Sequence, residues 1–215
     1  MIDFAAARRN MVDGQIRTQD VTDLRVIGAF LDVPREHFMP AGKAALAYLD
    51  LDVPVGEGTN PRRLLKPMVL AKLIQAATPA GTDRVLDVAC GTGYSTAILS
   101  RLAGHVTALE EDATLARQAK KNLGDTVTVV TGRLTAGWGV AAPYNVILLN
   151  GAAEIVPQHL FDQLADGGRL VCIWGATPGK AMLYVRSGAE VGGRPLFDAN
   201  AAILPDFVRA PAFVF

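Results

Sequence analysis

From Arg84 onward the chain alternates short apolar runs with segments of helical pattern, and this alternation constrains the fold more than any other feature. RVLDVA (84–89), HVTALE (105–110), TVTVVTG (126–132), YNVILLN (144–150) and GRLVCIWG (168–175) each read as a fully buried strand bounded by turn residues. The segments between them are long enough for crossover helices, which is the pattern of a parallel sheet with helices on its faces. The tail adds AMLYVRSG (181–188) and PAFVF (211–215), expected to form an antiparallel pair at the sheet edge.

Ahead of this unit, apolar residues recur at helical spacing from Ala5 to Asp32, with breaks near Gly14 and at Asp20-Val21-Thr22-Asp23, so two short helices are expected, the second capped by the Asp/Thr cluster. Pro67 suits the first turn of a helix running to about Ala77, because its missing N–H would have no partner there anyway. Half of the 215 residues are hydrophobic, enough for one large core. The expected organisation is an N-terminal, substrate-side helical region over 1–66 and a cofactor-binding domain over 67–215.

Charge and composition narrow the function classes. Lys plus Arg and Asp plus Glu both number 21, so the chain lacks the electrostatic footprint of a nucleic-acid or anionic-membrane partner. No apolar run approaches the roughly 20 residues of a membrane span, and charges interrupt the N-terminal MIDFAAARRNMVDGQIR where a secretory signal needs an apolar stretch. Cys90 and Cys172 sit in apolar runs as small buried hydrophobes, which suits a reducing cytoplasm. His37, His105 and His159 lack metal-ligand spacing, and no metal is expected.

The sharpest local signal is VLDVACGTGYS (85–95), a strand running into a Gly-x-Gly turn and then a helix. A side chain on Gly91 or Gly93 would keep a ligand away from the backbone and the helix N-terminus. Glu110 ends the next strand, about 20 residues on, where an acidic side chain accepts hydrogen bonds from ribose hydroxyls. Asp87, inside the strand, argues against a phosphate, since two anions in one half-buried pocket repel, and suits a cationic or amino group.

DVACGTGYS resembles motif I of the class I S-adenosylmethionine-dependent methyltransferases, and LADGGRLVCIWG resembles the Gly-Gly turn into the fifth strand of that fold. The resemblance implies a Rossmann-like α/β fold: a mostly parallel seven-stranded sheet flanked by helices, with an antiparallel C-terminal edge strand. S-adenosylmethionine is the implied cofactor, held by Asp87, Ala89, Gly91, Gly93, Tyr94, Ser95, Glu110, Glu111, Gly132, Arg133 and Leu134. The flanks are similar to protein-L-isoaspartate O-methyltransferases: LDVPREHFMP (31–40), AYLDLDVPVGEG (47–58), the following PMV helix, and YNVILLNGAAEIVPQHL (144–160). That family methylates the α-carboxyl of L-isoaspartyl residues in damaged proteins, so a protein or peptide partner and a repair role are implied. A methyltransferase with another acceptor and a non-catalytic S-adenosylmethionine-binding protein are the alternatives.

Three departures bear on that expectation. In the loop GEGTNPRRLLKP (56–67), where the family places a hydroxyl residue near the acceptor, counting from either side lands on Arg62 or Leu64, so Arg62, Arg63 and Thr59 are the candidates for gripping the acceptor carboxylate. Arg133 stands where the family has an Asp that contacts adenine, and a guanidinium has no acceptor to offer. Asn145 replaces an Asp at a strand start, read as a minor change.

Overall fold

The computed structural model describes residues 2–59, 61–175 and 177–210. Near the N-terminus α1 (Phe4–Met11) runs into a π-helical turn at Val12–Ile16, and α2 spans Leu24–Asp32. The expected break at Gly14 is absent, because the wider turn carries the helix past the glycine while keeping Val12 and Ile16 buried; the chain reverses instead at Asp20, with φ 62°. Asp23 caps α2 by accepting the Arg25 N–H. A two-residue hairpin, β1 (Val53–Pro54) with β2 (Arg63–Leu64), precedes α3 (Pro67–Ala77), which starts on Pro67 as its sequence predicts.

The α/β unit follows in order: β3 (Arg84–Val88), α4 (Tyr94–Leu99), β4 (His105–Glu110), α5 (Ala113–Leu123), β5 (Thr128–Thr131), β6 (Tyr144–Ala153), α6 (Gln158–Asp162), β7 (Leu164–Trp174), β8 (Lys180–Ser187) and β9 (Glu190–Asp198). They build one seven-stranded sheet in the order β5-β4-β3-β6-β7-β8-β9, parallel from β5 to β7 and antiparallel at β8 and β9. The chain leaves β3 toward β4 on one side and returns to it through β6 on the other. Ligands of open α/β sheets bind at such a reversal, outside the carboxyl ends of the strands.

Alternation along the buried strands divides the core by face. Val85, Val146, Leu148 and Val171 join α2, α3 and the π-turn in one apolar cluster, while Leu86, Val88, Ile147, Leu149 and Leu170 join Leu160, Phe161, Leu204 and Phe207 in the other. The N-terminal helices therefore share a core with the sheet. TVTVVTG is not fully buried: β5 pairs only with β4, so Thr128 and Thr131 are exposed at the edge. AMLYVRSG forms β8, but its outer partner is β9; PAFVF lies outside the described residues. In β9 Gly193 serves pairing, because a Cβ at that position would collide with the Tyr184 ring across the ladder.

Among the described residues, no helix is long and apolar enough to cross a membrane, and no cluster of three or more His, Cys, Asp or Glu is placed to hold a metal. Cys90 and Cys172 are buried free thiols.

Candidate active site

The carboxyl ends of β3 and β4 bring together the groups singled out by the motif. Asp87 is fully buried, and its Oδ2 accepts hydrogen bonds from Ser95 Oγ and Thr96 Oγ1, both at 2.6 Å. Asn150, near the end of the buried run of β6, donates through Nδ2 to Ser95 Oγ at 2.6 Å. Asp87 Oδ1 and Asn150 Oδ1 are buried and have no hydrogen-bond partner. Burial pushes the Asp87 carboxyl up to about 7; the Ser95 and Thr96 hydroxyls oppose the shift, and the Glu110 charge adds to it. A buried, unpartnered carboxylate oxygen held against its own desolvation is suited to receive an ammonium group.

Between the two strands the backbone turns sharply. Ala89 takes a left-handed φ of 65°, unusual for a residue with a Cβ, while its N–H donates to Leu109 O at 2.9 Å. Gly91 (φ 58°) donates its N–H to Glu110 Oε2 at 2.8 Å, and a Cβ there would stand 3.3 Å from Arg62 Cγ. Gly93 (φ 97°) meets a different demand, since a Cβ on it would lie 2.9 Å from Leu123 Cδ1 of α5. Its missing side chain makes room for helix packing, whereas Gly91 keeps the face of the turn open. Gly93→Ala is expected to lose about 2 kcal/mol of stability, from the left-handed backbone and the Leu123 contact together, measured by urea unfolding.

Glu110 is the hub of the β4 end. Its carboxylate accepts the backbone N–H groups of Gly91, Glu111 and Asp112, and also the Arg62 guanidinium, through Nη2 to Oε1 at 2.9 Å and Nε to Oε2 at 3.1 Å. The Arg62 and Glu110 side chains are 7% and 0% exposed. Asp112 caps α5 by accepting the N–H groups of Thr114 and Leu115. Burial raises the Glu111 carboxyl above its usual range, and Asp206 reinforces this. Gly132 donates its N–H to Glu110 O at 3.1 Å, Arg133 turns outward to Asp206 at 3.2 Å, and the Leu134 side chain is fully buried.

Two candidates point elsewhere. The Tyr94 ring packs edge-on against Phe30 and Phe38, with the Arg35 guanidinium 4.7 Å from its centroid, so its side chain faces the N-terminal helices. Thr59 is exposed on the loop. Arg63, half-buried in β2, donates to Asp52 O at 3.5 Å. Asn145 accepts the Arg84 N–H at 2.9 Å, tying the starts of β6 and β3 together. Thr96 and Asn150 escaped the sequence reading; the one available signal for Asn150 was a polar residue closing an apolar strand run.

Two small spaces flank Arg62. A cleft of about 190 Å³ borders Gly56, Glu111, Asp112 and Leu115, and a pinched space of about 10 Å³ borders Arg63, Asn150, Gly151 and Leu204; Arg62 lines both. A larger cavity of about 470 Å³ between Phe38, Arg101 and Val127 includes neither Asp87 nor Glu110, so its size does not make it the site that the sheet topology marks.

Known proteins resemble the chain over most of its length. The sequence model of the family described as protein-L-isoaspartate(D-aspartate) O-methyltransferase matches residues 6–191. A protein-L-isoaspartate O-methyltransferase of Methanoregula boonei is 40% identical over 168 residues, covering 76% of each chain. One from Koribacter versatilis is 38% identical over 190 residues, covering 86% of this chain and 84% of the relative. Among solved structures, a protein-L-isoaspartate O-methyltransferase superposes with a TM-score of 0.80 at 24% identity, covering 92% of this chain and 65% of that one. A Plasmodium falciparum protein described as such an enzyme, in complex with S-adenosyl-L-homocysteine, gives a TM-score of 0.74 at 18% identity, with 95% and 99% covered. At these identities the two structures speak for the fold.

Proposed function

Because the chain belongs to the protein-L-isoaspartate O-methyltransferase family, we propose that it is an S-adenosylmethionine-dependent enzyme that esterifies the α-carboxyl of L-isoaspartyl residues in damaged proteins. The observation that carries this reading is the pair of buried carboxylates at adjacent strand ends: Asp87 with an unpartnered oxygen, and Glu110 across the glycine turn. Asp87 receives the amino group of the cofactor and Glu110 its ribose hydroxyls. Glu111 and the backbone of Gly132, Arg133 and Leu134 edge the adenine, since the Arg133 side chain is turned away to Asp206. When bound, S-adenosylmethionine supplies a methyl group already activated by its sulfonium.

The acceptor asks little acid–base chemistry of the protein. A carboxylate with an ordinary pKa near 4 is ionised at neutral pH, so the chain's task is to align its oxygen with the methyl carbon and the sulfur. Arg62 and Arg63 both border the pinched space beside Asn150, which supports one of them as the grip on the acceptor carboxylate; Thr59 is the remaining hydroxyl of that loop. Region 1–66 forms the acceptor side and 67–215 the cofactor side. The zero formal charge argues for a polypeptide rather than a nucleic-acid partner, and two buried free thiols fit a cytoplasmic site of action.

The ester of an isoaspartyl residue closes to a succinimide, which reopens partly as normal aspartate. Incubating an isoaspartyl peptide with the chain and S-adenosylmethionine is expected to yield succinimide and aspartyl peptide on a chromatogram. Consumption of cofactor without loss of the isoaspartyl peak would instead indicate a different acceptor.

A further inference from the structure

Arg62 is held where a nucleoside ought to sit. Its guanidinium makes a two-pronged contact with Glu110, whose carboxylate also accepts three backbone N–H groups, so Arg62 crowds both oxygens that ribose hydroxyls would approach. Its stem covers Gly91, the residue whose missing Cβ opens the turn. The spaces on either side, about 190 and about 10 Å³, are below the roughly 300 Å³ at which small-molecule sites begin. The arginine is carried by a short hairpin: Arg62 O accepts the N–H groups of Val55 and Gly56, and β1 and β2 pair over only two residues each. Such a hairpin has little ladder to break if it lifts. Arg62 also lines the pinched space beside Asn150, which is one hydrogen bond from the Ser95–Asp87 pair, so it stands between the ribose seat and the methyl-transfer end.

Building on the function proposed above, we propose that Arg62 is a resident occupant of the ribose seat, displaced by the cofactor and thereby handed to the acceptor carboxylate. Glu110 exchanges a guanidinium for ribose hydroxyls, and the released guanidinium finds a second carboxylate in the substrate. Acceptor binding then waits on cofactor binding, and Arg62 acts as the positioning residue that couples the two sites.

Titration calorimetry of the full chain with S-adenosyl-L-homocysteine tests the occupancy. Arg62→Ala and Arg62→Gln are expected to bind about ten-fold tighter than wild type or better, because the fraction of molecules with an open seat rises. Loss of a merely structural contact would weaken binding, so unchanged or weaker affinity in both variants overturns the proposal. The hand-over is read by anisotropy of a labelled isoaspartyl peptide with and without saturating S-adenosyl-L-homocysteine. Wild type is expected to bind it about ten-fold tighter with the nucleoside present, and Arg62→Ala equally in both conditions. Equal peptide affinity in both conditions for wild type overturns the hand-over. A peptide that binds in neither condition overturns the proposed acceptor and the hand-over with it, while the calorimetric result still decides the occupancy.

Discussion

Replacing Asp87 by Asn is expected to weaken S-adenosylmethionine binding by about 30- to 1,000-fold, the equivalent of roughly 2–4 kcal/mol for removing one partner of a buried, charge-assisted contact. Asn preserves the shape and can still accept from Ser95 and Thr96 through its oxygen, but it then turns an amide N–H₂ toward an ammonium group, setting donor against donor. Wild-type binding is also expected to depend on pH. The Asp87 carboxyl, raised from 3.8 to about 7 chiefly by burial, is substantially protonated below neutrality in the free protein, and an arriving ammonium must expel that proton. Affinity should therefore fall about ten-fold per unit as pH drops below 7 and level off above it; Asp87→Asn should remove this dependence.

The same shift sets a sign for stability. Between the unfolded value of 3.8 and the folded value near 7, the native state binds the proton more tightly than the unfolded chain, so this group's contribution declines as pH rises through that window and is lost above about 7. Ligand-free Asp87→Asn should consequently match or exceed wild type in thermal stability at pH 8, although it binds cofactor poorly. A variant less stable than wild type at pH 8 would mean that the extra strength the carboxylate charge gives the Ser95 and Thr96 hydrogen bonds outweighs its desolvation.

Truncating Phe30 to Ala is expected to cost about 3–5 kcal/mol of stability, the usual range for an aromatic removed from a closed core. The Phe30 side chain is fully buried and packs edge-on against Tyr94 at 6.1 Å, so the loss falls where α2 meets α4. Because the N-terminal helices share one apolar cluster with α3 and the sheet, unfolding should remain a single transition with a lower urea midpoint. Two separated transitions, with the later one unmoved, would mean that residues 1–66 form a separate folding unit.

What the sequence disclosed follows from what is local. The buried strand runs, the glycine turn and Pro67 are written in neighbouring residues, so the β3–α4 unit and the start of α3 are legible without coordinates. The direction of the Tyr94 ring is not, because the first residue of α4 can face the ligand or the N-terminal helices, and Phe30, Phe38 and Arg35 decide it from distant segments. The partner of Arg62 is hidden for the same reason: Glu110 lies 48 residues away, and only the hairpin geometry brings the guanidinium to it. Gly93 was legible as an obligatory glycine but not in its use, which depends on Leu123 of α5. The edge position of β5 and the pairing of the glycine-containing β9 likewise depend on strand order, which local pattern does not encode.

The measurement that bears most directly on function is transfer of radiolabelled methyl from S-adenosylmethionine to an isoaspartyl peptide and to its normal aspartyl twin, under identical conditions with the wild-type chain. Base-labile label is expected on the isoaspartyl peptide, as for a carboxyl ester, and none above blank on the twin. Equal labelling of the two peptides, or none on either while the cofactor still binds, would contradict it.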